Sequence, residues 1–340
     1  FDSAVHEWDE LADKYYTARR MGGALSVFGN ELARTLPAAD IPVDAARGVS
    51  VPVRRGERSA FIFPRNLTRS MQEIAFRLDI PGMGEVPFPR VAPLRLKPQG
   101  MKMLPVNIPL GDGVTLVWTT SEVFTVTRRE AETALVLAGE PGEKGEVFLR
   151  GIGGFDHIRG AGKADECDGG LLVTFTHTRG LSHIRLMVRD DEDLPAALRG
   201  FRIVLVDTAT AETTWIASDG DSTLPLVSDA YFMDYCKVEG SVLRSEVSRR
   251  PGGAGFVEFP WYANPVIPPE ASISGADLGV DVDKTLRTVR IALPPVEEPG
   301  IRYTTGPWRM RPEDPRYLGG GDGWKPYVAF RGNERSGEHE

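Results

Sequence analysis

The sequence predicts a mainly β protein, with antiparallel β-sandwich domains preceded by one amphipathic helix. After Pro42, short runs of β-branched and aromatic residues recur at regular spacing, which is typical of antiparallel sandwiches. Gly, Pro and Asp separate these runs, and the chain's 26 prolines and 37 glycines suit turns and strand ends. Only one stretch has a helical period over more than three turns.

The predicted helix covers residues 13–34 and ends before Pro37. Apolar residues recur along it at alternating steps of three and four, which places them on one face. This apolar stripe consists of Ala18, Met21, Leu25, Phe28 and Leu32. Such a stripe needs an apolar surface to cover.

Two groups of strands follow the helix. The larger group comprises residues 60–63, 73–78, 114–127, 133–137, 146–149, 171–176, 183–188 and 202–206. The smaller group comprises residues 240–247, 255–259, 271–273 and 285–293. The predicted domains are a helical segment (1–40), a large sandwich (41–235), a small sandwich (236–300) and a linker (301–340), with the main boundary near Tyr235.

Charge and composition exclude several classes of function. The formal net charge is −8 and no long Lys/Arg block exists, so nucleic acid is not the expected partner. No run approaches the roughly 18 apolar residues of a membrane span, so no membrane partner is expected. Two cysteines, Cys167 and Cys236, are too few for a disulfide scaffold or a cysteine metal cluster. We expect buried thiols, with one mutual disulfide as the alternative, and neither a cofactor nor a metal.

Acidic residues are plentiful, but no pair is recognisable as the two facing carboxylates that a glycosidase needs. Glu122, in a predicted strand, is expected to make a structural hydrogen bond or to lie on the surface. Other candidates are interpreted as a solvated acidic turn (190–193), turns rather than calcium loops (218–222 and 281–283), and a hairpin pair (His177 and His183). Trp261 and Tyr262 form a possible carbohydrate platform or a contact between domains.

The stretch GVTLVWTTSEVFTVTRREAETALVLAGEPGEKGEVFL, residues 113–149, resembles the second domain of glycoside hydrolase family 35 β-galactosidases. Residues 199–215 and 231–247 resemble later parts of the same region. Residues 1–33 resemble the end of the family's catalytic barrel. The resemblance implies that residues 1–40 end a (β/α)8 barrel, which the helix closes on missing or companion polypeptide, and that residues 301–340 enter a jelly roll. It also puts Phe1 and Asp2 at substrate-binding positions, where Phe1 lacks the hydroxyl of the family's tyrosine.

The resemblance covers roughly residues 1–300 and implies an exo-acting enzyme that hydrolyses terminal β-galactosides with retention. The family's catalytic glutamates lie on barrel strands that have no counterpart here. The chain is therefore expected to be a non-catalytic fragment or subunit. Its expected partners are a barrel-bearing catalytic polypeptide of the same enzyme and the galactoside substrate, and assembly into an oligomer is left open. The alternatives are a stand-alone carbohydrate-binding or assembly module and an unrelated β-sandwich lyase or hydrolase.

Overall fold

A computed structural model describes most of the chain. The described residues are 13–43, 48–111, 113–129, 132–152, 155–188, 200–219, 222–228, 231–239, 242–248, 254–260, 272–273, 276–286, 288–295, 308–310 and 325–327. Phe1, Asp2, Trp261 and Tyr262 lie outside them, as does the acidic run 190–193.

The fold is mainly β, as the sequence predicts. The described residues contain two helices, α1 (Asp13–Ala33) and α2 (Thr208–Glu212). The strands are β1 (Leu36–Ile41), β2 (Val49–Arg55), β3 (Ala60–Ile62), β4 (Arg65–Asn66), β5 (Gln72–Ile74), β6 (Phe76–Ile80), β7 (Gly84–Phe88), β8 (Leu94–Leu96), β9 (Leu104–Val106), β10 (Ile108–Gly111), β11 (Val114–Thr119), β12 (Glu122–Arg129), β13 (Glu132–Gly139), β14 (Lys144–Arg150), β15 (Phe155–Gly160), β16 (Gly162–Cys167), β17 (Gly170–Thr176), β18 (Leu181–Val188), β19 (Gly200–Asp207), β20 (Thr214–Asp219), β21 (Ser222–Ser228), β22 (Tyr231–Glu239), β23 (Val242–Ser248), β24 (Gly255–Pro260), β25 (Ser272–Ile273), β26 (Ala276–Asp277), β27 (Val280–Asp283), β28 (Thr288–Leu293), β29 (Trp308–Met310) and β30 (Lys325–Tyr327).

Two five-stranded sheets form the central sandwich. One has the order β10-β11-β14-β17-β16 and the other β12-β13-β19-β18-β15, in which β13 and β19 are parallel. Their inner faces share one apolar core, which includes Leu116, Leu135, Val173 and Ile203. Alternation of side chains across each strand gives each sheet a second face for a further layer.

Both outer faces of the sandwich are covered. Trp118 and Phe148 of the first sheet stack and join the core of the β1–β9 region, where β1, β2, β3 and β9 form a sheet. Val136 and Val204 of the second sheet pack with Val227 of β21. The third sheet has the order β23-β22-β20-β21-β24-β28-β27 within the described residues. β-layers thus stack on both sides of the sandwich.

Helix α1 agrees with the predicted helix, but its buried face differs from the predicted stripe. Ala24 and Phe28 are buried against the chain's own sandwich, and Leu32 packs beside Phe28. Met21 and Leu25 are 57% and 43% exposed. Small residues allow the helix to approach β12 closely, and this turns the face around Ala24 toward the sheet. The expectation that the stripe is covered only by other polypeptide is therefore wrong for Phe28 and Leu32. Met21 and Leu25 form the exposed edge of α1, and the closure of a barrel by this edge stays a prediction.

The predicted strand 114–127 is two strands in different sheets. The chain passes from β11 to β12 through Thr120 and Ser121. Ser121 N donates to Thr119 Oγ1 at 3.1 Å, and Thr120 Oγ1 accepts from Glu146 N at 2.9 Å. Threonine hydroxyls that bond to the backbone compete with the ladder of a continuous strand.

The interpretation of His177 and His183 as a hairpin pair is also wrong. His177 follows β17 in the first sheet of the sandwich, whereas His183 lies on β18 in the second. Between them, Gly180 makes two hydrogen bonds with Asp207 at the end of β19: Asp207 N donates to Gly180 O at 3.1 Å, and Gly180 N donates to the side-chain Oδ2 of Asp207 at 3.0 Å. The connection is thus an arch between sheets.

The third sheet begins at Thr214, well before the predicted boundary near Tyr235, and this boundary falls inside β22. The predicted division into domains stays a prediction. Among the described residues, no helix combines the length and apolar character that crossing a membrane would need.

Candidate functional site

A cleft of about 350 Å³ lies where α1, the segment after β8 and the turn between β13 and β14 meet. We call it the glutamate cleft. Three carboxylates line it, those of Glu122, Glu140 and Glu143. Four cationic side chains line it as well, those of Arg20, Arg95, Lys97 and Lys102.

The turn from Glu140 to Glu143 is held by backbone hydrogen bonds. Glu143 N donates to Glu140 O at 2.9 Å, which closes the turn. Gly142 N donates to His177 O at 2.7 Å, and His177 N donates to Glu143 O at 2.9 Å. Gly142 has φ +84°, a conformation that glycine adopts without the steric cost of a Cβ. These bonds fix both glutamates at the end of the central sandwich.

Glu140 lies in a network of charge-assisted hydrogen bonds. Lys97 Nζ is 2.5 Å from Glu140 Oε1, and the hydroxyl of Thr208 donates to the same oxygen. Thr208 is the first residue of α2, whose N-cap Asp207 accepts from Thr210 N at 2.7 Å. Burial alone would raise the pKa of Glu140, but the bonds from Lys97 and Thr208 lower it below its ordinary value.

Glu143 forms the most buried ion pair of the cleft. Its side chain is 6% exposed, and Lys102 Nζ contacts its Oε1. Its other oxygen, Oε2, accepts from Glu140 N at 3.2 Å. Both oxygens of Glu143 are therefore already occupied.

Glu122 differs from the other two glutamates. It begins β12 and faces the cleft, and no described residue makes a hydrogen bond or an ion pair with its carboxylate. Burial raises its pKa, against the opposing charges of Arg20, Lys102 and Lys97. Arg20 lines the same cleft and likewise has no direct partner among the described residues. Glu122 is therefore half-buried in the wall of the cleft and, among the described residues, lacks the structural hydrogen bond that the sequence led us to expect.

His177 lies behind the turn and is almost fully buried. Its Nε2 is 2.8 Å from Ser121 Oγ, and its ring meets the edge of Phe175. Burial is the main cause that lowers its pKa from 6.5 to about 4. The imidazole is consequently neutral at pH 7, next to the backbone that carries Glu143.

The cleft's chemistry favours binding over glycoside hydrolysis. A retaining glycosidase needs one carboxylate free to attack the sugar and a second carboxyl group as acid. Glu140 and Glu143 are held by lysines, which leaves Glu122 and Arg20 as the free acceptor and the free donor. The ion pairs were not foreseen because Lys97 and Lys102 lie some forty residues from the glutamates; the Pro-Gly turn at 141–142 was the one available signal.

Two further predicted features can be located. Cys167 is a free, partly exposed thiol, 3.7 Å from an Arg90 nitrogen, so the expected buried thiol is wrong at this position. Asp219 and Ser222 pair at the end of the β20–β21 hairpin, and the two residues between them, where the turn is expected, lie outside the described residues. Asp281 and Asp283 lie in strand β27, and Asp283 accepts hydrogen bonds from the backbone N–H groups of Thr285 and Leu286.

Comparison with known proteins identifies the region that carries the cleft. Residues 47–213 match the family model of β-galactosidase, domain 2. The chain is 26% identical over 176 residues to probable β-galactosidase B of Aspergillus terreus (strain NIH 2624 / FGSC A1156), which covers 50% of this chain and 16% of that protein. A crystal structure of γ-CGTase from Alkalophilic bacillus clarkii matches 68% of this chain and 38% of its own, at 10% identity; its TM-score of 0.17 is too low to support any argument.

These matches place the central β-layers among domains of β-galactosidase-related proteins. More specifically, residues 47–213 match β-galactosidase domain 2, in agreement with the sequence resemblance. The chain spans about one sixth of the length of the Aspergillus terreus relative.

Proposed function

We propose that this chain is the non-catalytic β-domain portion of a family 35-like β-galactosidase. The complete enzyme would remove terminal β-galactosyl groups with retention, through two carboxylates on a barrel-bearing polypeptide. The observation that carries this proposal is the domain 2 match over residues 47–213. The engagement of Glu140 and Glu143 by lysines supports it, since neither is free to attack a sugar.

The exposed edge of α1 is the surface that we assign to the barrel. Met21 and Leu25 are one helical turn apart and lie beside the face that packs on β12. Burying two such side chains contributes roughly 1.5–3 kcal/mol each when they leave water completely. The helix would then bridge the two polypeptides, with Phe28 on the sandwich and Met21 on the barrel.

The first experiment tests catalysis by the purified 340-residue chain on a chromogenic β-galactoside. We expect no turnover above the rate in buffer. Turnover that disappears in Glu122→Gln and persists in Glu166→Gln would make the non-catalytic assignment wrong. Glu166 is the matched control because it is exposed on β16, opposite Leu171 at the far end of β17 from the cleft.

The second experiment measures association with the barrel polypeptide of the same enzyme. Met21→Glu and Leu25→Glu should weaken association at least tenfold, since each puts a charge on the proposed contact. The control is Leu67→Glu, because Leu67 is 63% exposed and lies away from α1 in the sequence. Equal association of all three variants would contradict the assignment of this edge.

A further inference from the structure

We propose that the glutamate cleft is a binding site for a neutral saccharide, whose hydroxyl groups bridge Glu122 and Arg20. Its volume of about 350 Å³ falls within the roughly 300–1,000 Å³ that is usual for small-molecule sites. Its walls come from α1, the segment after β8 and the β13–β14 turn. Backbone hydrogen bonds of the turn help to hold these walls in place. The inference does not depend on whether the chain is catalytic.

The bonding state of the charged groups indicates the chemistry of the ligand. Three of the four cations already have carboxylate partners; the pairs are Lys97–Glu140, Lys102–Glu143 and Arg95–Glu73. Arg20 and Glu122 interact electrostatically but do not touch. A guanidinium only donates hydrogen bonds, and the unengaged oxygens of Glu122 can accept them. One hydroxyl group can accept from Arg20 and donate to Glu122, so it satisfies both.

Charged ligands fit the cleft less well. An ammonium group next to Glu122 would be repelled by Arg20, Lys97 and Lys102, which all act on that carboxylate. A carboxylate or phosphate next to Arg20 would face Glu122, whose pKa burial already raises. A neutral ligand with several hydroxyl groups avoids both penalties.

The cleft also offers apolar surface to the C–H face of a sugar ring. Met71 and Met101 line it and are 46% and 57% exposed, and Leu96 lies between the two segments that carry them. Methionine adapts its shape to an irregular partner because its side chain is unbranched. A cleft lined by both polar groups and thioethers suits a ring that has both kinds of surface.

The test is a saturation-transfer NMR titration of the full 340-residue chain. The neutral probes are β-(1→4)-galactobiose and cellobiose, and the charged probes are galacturonate and glycine. We expect a neutral disaccharide to bind. Its affinity should fall about tenfold in Glu122→Gln, because glutamine replaces one of the two carboxyl oxygens with an NH2 group that only donates. Glu166→Gln, the same substitution on the exposed β16, should bind like the wild type.

Arg20→Met is a second variant on a different element, so a folding defect in one variant leaves the proposal testable. It should also weaken binding, and the double variant should lose less than the product of the two single effects, because one ligand bridges both groups. No binding of either neutral disaccharide at tens of millimolar, preference for a charged probe, or unchanged affinity in both variants would overturn the proposal. None of these outcomes alters the test of association with a barrel.

Discussion

A Cβ at Gly23 would lie 2.7 Å from the carbonyl oxygen of Phe124. The helix therefore approaches β12 at a distance that only glycine permits at this position. Gly22, its neighbour in the sequence, has no atom within 4 Å of the equivalent point. These two glycines of one helix differ only in what they face, which makes them a matched pair.

We predict that Gly23→Ala destabilises the protein by about 2 kcal/mol relative to Gly22→Ala. Alanine favours a helix by up to about 1 kcal/mol over glycine at either site, but at Gly23 overpacking against a backbone oxygen costs about 1–3 kcal/mol. Urea unfolding of both variants measures the difference. Equal midpoints for the two variants would mean that α1 does not dock closely on β12.

His177 should make stability depend on pH between about 6.5 and 4. Its pKa in the folded protein is about 4, against 6.5 when unfolded, so the unfolded chain binds a proton in this range and the native chain does not. Stability therefore falls as the pH falls, by about 3 kcal/mol in total at roughly 1.4 kcal/mol for each pKa unit. His177→Gln should flatten this slope in thermal melts, whereas His157→Gln, at an exposed histidine paired with Asp156, should not.

Glu258 joins the central sandwich to the third sheet. His183 Nε2 on β18 lies 3.1 Å from Glu258 Oε1 on β24, and Arg290 donates to Oε2 at 2.9 Å. Burial would raise the pKa of Glu258, but the hydrogen bond and charge of His183, together with Arg290, lower it. The lowered pKa adds stability above the ordinary pKa of the carboxyl, and this stability is lost as the pH falls through the folded-state pKa.

We predict that Glu258→Gln costs about 1–3 kcal/mol at pH 7 and removes part of the acid sensitivity below about pH 4.5. The control is Glu85→Gln, which breaks an exposed pair with Arg77 and should cost less than about 1 kcal/mol. Denaturant melts between pH 3 and pH 7 compare them. The same cost for both variants at pH 7 would contradict a buried link between the sheets.

Glu146 is a buried carboxylate with several donors. Arg90 N and Val91 N donate to it at 2.8–3.0 Å, and Trp118 Nε1 donates to its Oε1 at 3.0 Å. Glutamine offers one acceptor oxygen, so Glu146→Gln would turn an NH2 group toward one of these donors. We predict a loss of about 2–4 kcal/mol and a change in Trp118 fluorescence. Neither change should occur in Glu166→Gln.

The sequence predicts an element well where the spacing of its apolar residues and a residue that ends it, such as proline, indicate the same bounds. The helix over 13–34 matches α1 because its apolar period and Pro37 indicate the same element. Its buried face was missed because Gly23 and Ala24 add little to a hydrophobic pattern, although small size is what close packing on β12 requires. The break after Thr119 was missed because hydroxyl groups, rather than Gly or Pro, end the strand.

Local patterns in the sequence could not predict the glutamate cleft. Lys102 and Glu143 are 41 residues apart, and their pairing depends on how β9 and the β13–β14 turn meet. Glu122 looks like any polar strand residue in the sequence. Only the fold shows that its neighbours in space are Arg20 and two lysines that already have carboxylate partners.

Strand β19 lies between β13, to which it is parallel, and β18. During synthesis on the ribosome, β13 therefore waits for β19 before this edge can pair. The edge of β13 stays open until residues 200–207 have been made, some 60 residues after β13 ends. At about 5–20 residues per second this delay is roughly 3–12 s. Throughout it, an apolar strand with unpaired amides is available to chaperones and to neighbouring nascent chains.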